Sequence, residues 1–180
     1  MRSSTAMRKI STLTLSLLLL AGIAVAEEAK KPLSPPAHVD AKLNSKKITI
    51  DYSAPSMRGR KIMGELVPYG KVWRTGANAA TTLVTEGDLM IGTVHVPAGT
   101  YTLYTLPGEK EWTLIINKET GQWGTKYDES KDLGRTKLAV KKLDKPVETF
   151  NVALVPVNPN QATLTLTWEN TQATARVLAH

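Results

Sequence analysis

The chain has 180 residues, 23 Lys+Arg against 16 Asp+Glu for a formal net charge of +7, 42% apolar residues and no cysteine. This composition excludes a disordered chain and a multi-span membrane protein. The absence of thiols excludes a disulfide framework, a thiolate metal centre, a cysteine nucleophile and a lipidated lipoprotein N-terminus.

Residues 1–26 read as a signal peptide. Arg2, Arg8 and Lys9 precede a mostly apolar run from Ile10 to Val25, which closes on Ala24-Val25-Ala26 before Glu27-Glu28. A basic start, a short apolar core and small residues ahead of the cut make the pattern of a secretory signal. The run falls short of the roughly 20 residues a bilayer span requires, and no basic cluster follows it. Met7 would also begin a well-formed signal. The expectation is export to the periplasm or the medium, with no stable membrane span after cleavage. Removal of this segment takes three positive charges, leaving 20 Lys+Arg against 16 Asp+Glu, or +4. The remaining lysines fall in scattered pairs such as Lys141-Lys142, without interleaved aromatics, so nucleic acid is not an expected partner.

Residues 27–36 are polar and carry Pro32, Pro35 and Pro36, the composition of a tether, and 37–180 form a single domain. Apolar and polar residues then alternate with a period of two, the pattern of a strand with one buried face. Ile48, Ile50 and Tyr52 begin it, and Trp112, Leu114 and Ile116 repeat it. Phe150, Val152 and Leu154 follow, and then Ala162, Leu164, Leu166 and Trp168. Turn residues at Glu86-Gly87-Asp88, Pro97-Ala98-Gly99 and Pro107-Gly108 separate Thr81–Thr85, Leu89–Val96, Thr100–Leu106 and Glu111–Asn117. Short connections predict an antiparallel meander for these four. A final pair, Ala162–Trp168 and Ala173–Leu178, is joined at Glu169-Asn170-Thr171. The predicted fold is all-β, an antiparallel β-sandwich of jelly-roll type with nine or ten strands.

Two stretches break the alternation, Ala54–Gly70 and Lys118–Gly134, both rich in glycine. Loops of this length inside a compact domain are commonly functional. The first leads into Leu66-Val67-Pro68-Tyr69-Gly70-Lys71-Val72-Trp73 and then Arg74-Thr75-Gly76-Ala77-Asn78-Ala79-Ala80-Thr81; Pro97-Ala98-Gly99-Thr100-Tyr101 and Gln122-Trp123-Gly124 lie downstream. With these strings the chain resembles, from about Ser34 to Val177, a bacterial family of exported proteins known as domain of unknown function 2911. The resemblance implies a secreted or periplasmic, mainly β domain and implies no reaction.

Arg58, Arg60 and Arg74 sit among glycines, prolines and aromatics. A guanidinium presents a rigid fork of donors suited to carboxylate or phosphate. Asn78 adds a neutral hydrogen-bonding group, and Tyr69 and Trp73 can wall a pocket. One reading is a binding module for a small anionic or polyhydroxylated, sugar-like ligand, or for an envelope partner. In that reading Arg74 converges with Arg58 or Arg60 on a partly open pocket. In the other reading the arginines tie down their loop by bonding backbone carbonyls or a carboxylate such as Asp51 or Glu65. His95, mid-strand in Val94-His95-Val96, is the residue for a rival class, a periplasmic hydrolase using a histidine and a carboxylate. Asp128, Glu129 and Asp132 offer oxygen atoms to calcium without the EF-hand spacing. No cofactor motif, metal motif or nucleophile elbow occurs.

Overall fold

Alternation becomes strand after strand in the computed structural model, which describes residues 32–180. The expected signal peptide and residues 27–31 of the expected tether lie outside the described residues. Nine strands follow in order: β1 Pro36–Leu43, β2 Lys46–Ser53, β3 Thr81–Thr85, β4 Leu89–Ile91, β5 Val94–Val96, β6 Gly99–Leu106, β7 Glu111–Asn117, β8 Asp132–Asn158 and β9 Gln161–Ala179. A short 3-10 turn at Glu129–Lys131 precedes β8, and the described residues contain no α-helix. The all-β class is as expected, and the strand count falls in the expected range.

All nine strands join one antiparallel sheet in the order β1-β2-β3-β6-β7-β8-β9-β4-β5. The sheet packs against itself because β8 and β9 bend. Their pairing shifts register between Lys142 and Val147, between Val147 and Asn151, and between Pro156 and Asn158, and such irregularities bend a strand and increase its twist. The first part of β8 pairs with β7, its remainder with β9, and the end of β9 with β4. Ile48, Ile50, Leu83 and Leu103 therefore face Leu89, Ile91, Leu154, Leu164 and Val177 around a small apolar void. One core cluster draws on every strand. The arrangement is compatible with the expected sandwich, formed by a single continuous sheet.

Several local expectations are corrected. Leu89–Val96 is two strands, because Gly92 takes a left-handed backbone (φ 57°) and turns the chain while the alternation runs on through it. The four-strand meander is broken at the same place: β3 pairs directly with β6, and the β4–β5 hairpin moves across to β9. The expected turn at Glu169-Asn170-Thr171 is an irregularity inside β9, with Glu169 at φ 50°. Pro36, the last residue of the expected tether, begins β1, on which His38 Nδ1 lies 2.6 Å from an Asp51 carboxylate oxygen.

The outer face of β6 and β7 is also covered. Tyr104, Ile115 and Ala80 form a second apolar cluster there, packed by Leu106 and Tyr127. The 118–131 segment closes over it through Thr102 Oγ1 donating to the Glu119 carbonyl (2.7 Å) and Tyr104 OH donating to the Lys126 carbonyl (2.9 Å). Desolvation and its hydrogen bond to Asp132 push the Tyr127 phenol up to about 12. Asp128 caps the 3-10 turn, and Glu129 and Asp132 pair with Arg135 at 2.8 Å each. The carboxylates considered for calcium are thus engaged in holding this cover.

On β9, Leu164 and Leu166 are buried while Thr165 is half-buried on the opposite face. Leu164→Asp places a charge in the core and should abolish the cooperative thermal transition. Thr165→Asp should stay within about 1 kcal/mol of the parent in urea unfolding. Equal damage from both would contradict this facing.

Candidate functional site

Residues 54–80 leave β2 and return as β3, and their course is set by anchors on four strands. Met57 N–H donates to the Glu148 carbonyl on β8 (2.8 Å), and Ala77 N–H to the Ser53 carbonyl on β2 (3.1 Å). The Glu169 carboxylate on β9 accepts the N–H groups of Ile62 (3.2 Å) and Met63 (3.0 Å). Trp73 exchanges two backbone hydrogen bonds with Thr105 on β6, at 2.7 and 2.8 Å. A long excursion over a sheet is thereby given partners for backbone groups it would otherwise bury unpaired.

Trp73 is the hinge of this arrangement. Its ring stacks on Trp168 (centroids 5.8 Å, 20° between planes) and meets Phe150 and Trp112 edge-on at 4.9 and 6.2 Å. Its indole N–H donates to the Gly76 carbonyl at 3.1 Å. The chain turns sharply just beyond. Thr75 is buried at φ 54°, a conformation costly for a β-branched residue. Its Oγ1 lies 3.2 Å from Thr105 Oγ1, and its carbonyl accepts the Thr81 hydroxyl at 2.7 Å. Gly76 follows (φ 155°), where a Cβ would stand 3.0 Å from the Ser53 carbonyl oxygen. Strain of about 1–3 kcal/mol per such residue persists only where the surroundings enforce it, and it marks candidate functional positions.

Between Trp73 and this turn lies Arg74. The side chain is half-buried, and its Nε is buried with no hydrogen-bond partner among the described residues. No described carboxylate pairs with it. Desolvation pushes its pKa down from the ordinary arginine value. The stem packs on Gly124, where an added Cβ would overlap the Arg74 side chain and stand 2.7 Å from the Asn78 carbonyl oxygen. Arg74 opens on a cleft of about 190 Å³, lined also by Ser34, Arg60, Leu66, Val67, Trp73 and Trp168.

The residues singled out in the sequence thus separate. Arg60, Trp73 and Arg74 share the cleft. Arg60 also grips its own loop, donating from Nε to the Met57 carbonyl (2.9 Å) and from Nη2 to the Ser56 carbonyl (2.7 Å). Arg58 does not line it; its guanidinium donates to the Leu33 carbonyl and its backbone N–H to Glu148 (2.8 Å). Asn78, at φ 58°, is a turn residue whose Nδ2 lies 3.4 Å from Ser53 Oγ and 3.5 Å from the Ser34 carbonyl. Tyr69 points to a neighbouring cavity. Asp51 and Glu65 pair with His38 and Lys61 rather than with an arginine.

His95 sits on the edge strand β5 with its side chain exposed; Nε2 is 3.4 Å from Asp88, whose other oxygen accepts the Ala98 N–H at 2.9 Å. Among the described residues no group of three acids or histidines is arranged to hold a metal ion. Sequence reasoning missed Trp168 because its spacing assigns it to the core, and Glu169 because it falls where strand alternation gives way to an apparent turn. The break in period at Glu169 is the signal that was available.

The geometry defines a small all-β domain with an arginine-bearing cleft over an aromatic floor. The family model described as "Protein of unknown function (DUF2911)" matches residues 34–177, and the chain belongs to that family. No curated protein and no solved structure matches the chain.

Gly124→Ala tests how closely Arg74 is held. The new methyl group must displace both the arginine stem and the Asn78 backbone, so overpacking should cost about 1–3 kcal/mol in denaturant unfolding. An unchanged midpoint would mean that the stem moves freely.

Proposed function

We propose that this protein is an exported, non-catalytic binding module that holds a small anionic, polyhydroxylated ligand in the cleft beside Arg74. The observation that carries the reading is the Arg74 guanidinium, charged and half-buried, with a buried Nε that no described protein group satisfies. A charged group with a buried, unpaired donor carries a desolvation cost, and a carboxylate or phosphate bound to the accessible side of the guanidinium would offset it with charge-assisted hydrogen bonds. The aromatic floor formed by Trp73 and Trp168 suits the apolar face of a sugar ring.

The size of the cleft limits the ligand. Its volume of about 190 Å³ lies below the roughly 300–1,000 Å³ of sites for drug-sized molecules. One acidic sugar or a short carboxylic acid fits this scale. The site carries no neighbouring nucleophile and base within hydrogen-bond reach of each other, so the binding reading is preferred to hydrolysis. His95 stands on the exposed edge strand β5, with Asp88 of the turn before β4 at 3.4 Å, and neither lines the cleft.

Export rests on the N-terminal pattern of residues 1–26. No helix among the described residues is long and apolar enough to cross a membrane. Intact mass of protein recovered from the envelope should correspond to a chain beginning at Glu27; recovery of uncleaved cytoplasmic chain would refute export.

Calorimetric titration with galacturonate and with inorganic phosphate tests the site. Arg74→Ala should weaken the better of the two by about ten- to a hundredfold, the loss of one or two hydrogen bonds to a charged group. His95→Gln should leave it unchanged. Identical affinity in the Arg74→Ala variant would remove the proposal.

A further inference from the structure

We infer that the ligand is one unit of a longer chain, a linear acidic polysaccharide whose next units run from the Arg74 cleft into a second, lysine-lined cleft beside it. The inference rests on the binding reading above and adds the polymer. The second cleft has a volume of about 500 Å³ and is lined by Lys61, Lys110, Lys141, Lys142, Tyr69 and Glu169, among others. The four lysines come from three separate parts of the sequence: the 54–80 loop, the β6–β7 turn and β8. Folding alone brings them together, and the scattered pairs in the sequence gave no sign of it.

The charge balance of this cleft favours an anion. Glu109 and Glu169 also line it. The Glu169 carboxylate is already occupied by the backbone N–H groups of Ile62 and Met63. Lys61 pairs with Glu65 at 3.4 Å. Among the described residues no carboxylate lies within ion-pair distance of Lys110, Lys141 or Lys142, and all three are exposed. They are free to meet a ligand without breaking an existing pair.

The same two segments contribute to both clefts. Leu66 and Val67 line the Arg74 side, while Met63 and Tyr69, from the same turn, line the lysine side. On β9 the consecutive residues Trp168 and Glu169 belong to the two clefts in turn. Leu66 and Tyr69 are accessible, 46% and 39% exposed. Basic hollows that share an accessible, partly aromatic segment match a chain of rings that carry acid groups at intervals. A ring face can rest on Tyr69 while acids reach Arg74 on one side and the lysines on the other. Tyr69, Asn170 and Thr171 supply neutral polar groups for hydroxyls. A flat anionic bilayer would meet Leu66 and Tyr69 and could not enter both hollows.

Calorimetry on the mature protein separates the possibilities. The probes are galacturonate, a linear galacturonate hexamer, a neutral glucan hexamer, and vesicles containing phosphatidylglycerol. The acidic hexamer should bind about tenfold or more tightly than the single unit, with an advantage that shrinks as salt rises. The neutral hexamer should not bind. In the combined variant Lys110→Gln, Lys141→Gln, Lys142→Gln, hexamer affinity should fall to that of the single unit. Binding of the single unit and the melting temperature should stay unchanged, since these side chains make no ion pairs in the fold. Failure of the single unit to respond to Arg74→Ala counts against the Arg74 site. A hexamer no tighter than the single unit, or a hexamer advantage that survives the triple variant, overturns the polymer inference. Vesicle binding in preference to the hexamer also overturns it and assigns the lysines to a membrane surface.

Discussion

Trp73 is joined to β6 by two backbone hydrogen bonds and wedged among aromatic rings from β7, β8 and β9, and the geometry of the 54–80 loop depends on that lock. Each aromatic contact contributes about 0.5–1.5 kcal/mol beyond simple burial. Three such contacts, with the indole N–H bound to the Gly76 carbonyl, leave the backbone at residues 73–76 little freedom. The strained conformation at Thr75 is a consequence. A loop lacking this anchor would relax, and Arg74 would swing out to water and lose its special environment. The cleft is therefore a product of core packing rather than of the loop itself.

What the lock produces is a guanidinium half withdrawn from water, its Nε shielded, before any ligand arrives. Arg58 and Arg60 have their needs met by carbonyl groups nearby. Arg74 differs: its stem is clasped by Gly124 and its Nε is shielded, but no partner is provided. Preorganised charge of this kind binds an anion with little further loss of conformational freedom, which is the main cost of recognition by flexible side chains. The same segment explains the role of residues 33–35. Their carbonyls accept bonds from Arg58, Asn78 and Ala54, so Ser34 becomes part of the cleft wall.

Period-two alternation made the strands legible, and the loop composition singled out the segment that carries the Arg74 cleft. Leu164, Leu166 and Trp168 face the core as their spacing demands. Two kinds of information were out of reach. Strand order was one: the place of the β4–β5 hairpin depends on β9 curving across the fold, and no local pattern encodes that. The division of labour among arginines was the other. Arg58, Arg60 and Arg74 look alike in sequence, and only the positions of carbonyls from Leu33, Ser56 and Met57 separate two structural ties from one unpaired charge. Pro36 shows the opposite error, since the start of β1 was hidden by prolines that suggested a tether.

The central claim is that Arg74 stands unpaired and waits for an acid. The proton-detected ¹⁵N signal of its Nε–H group, assigned by comparison with Arg74→Lys, reports this directly. In the free protein it should lie at the shift of a donor without a partner. Titration with galacturonate should then move it downfield while the signals of Arg58 and Arg60 hold still. A signal already shifted downfield without ligand, and unmoved on titration, would show that the protein itself satisfies Arg74 and would contradict the account.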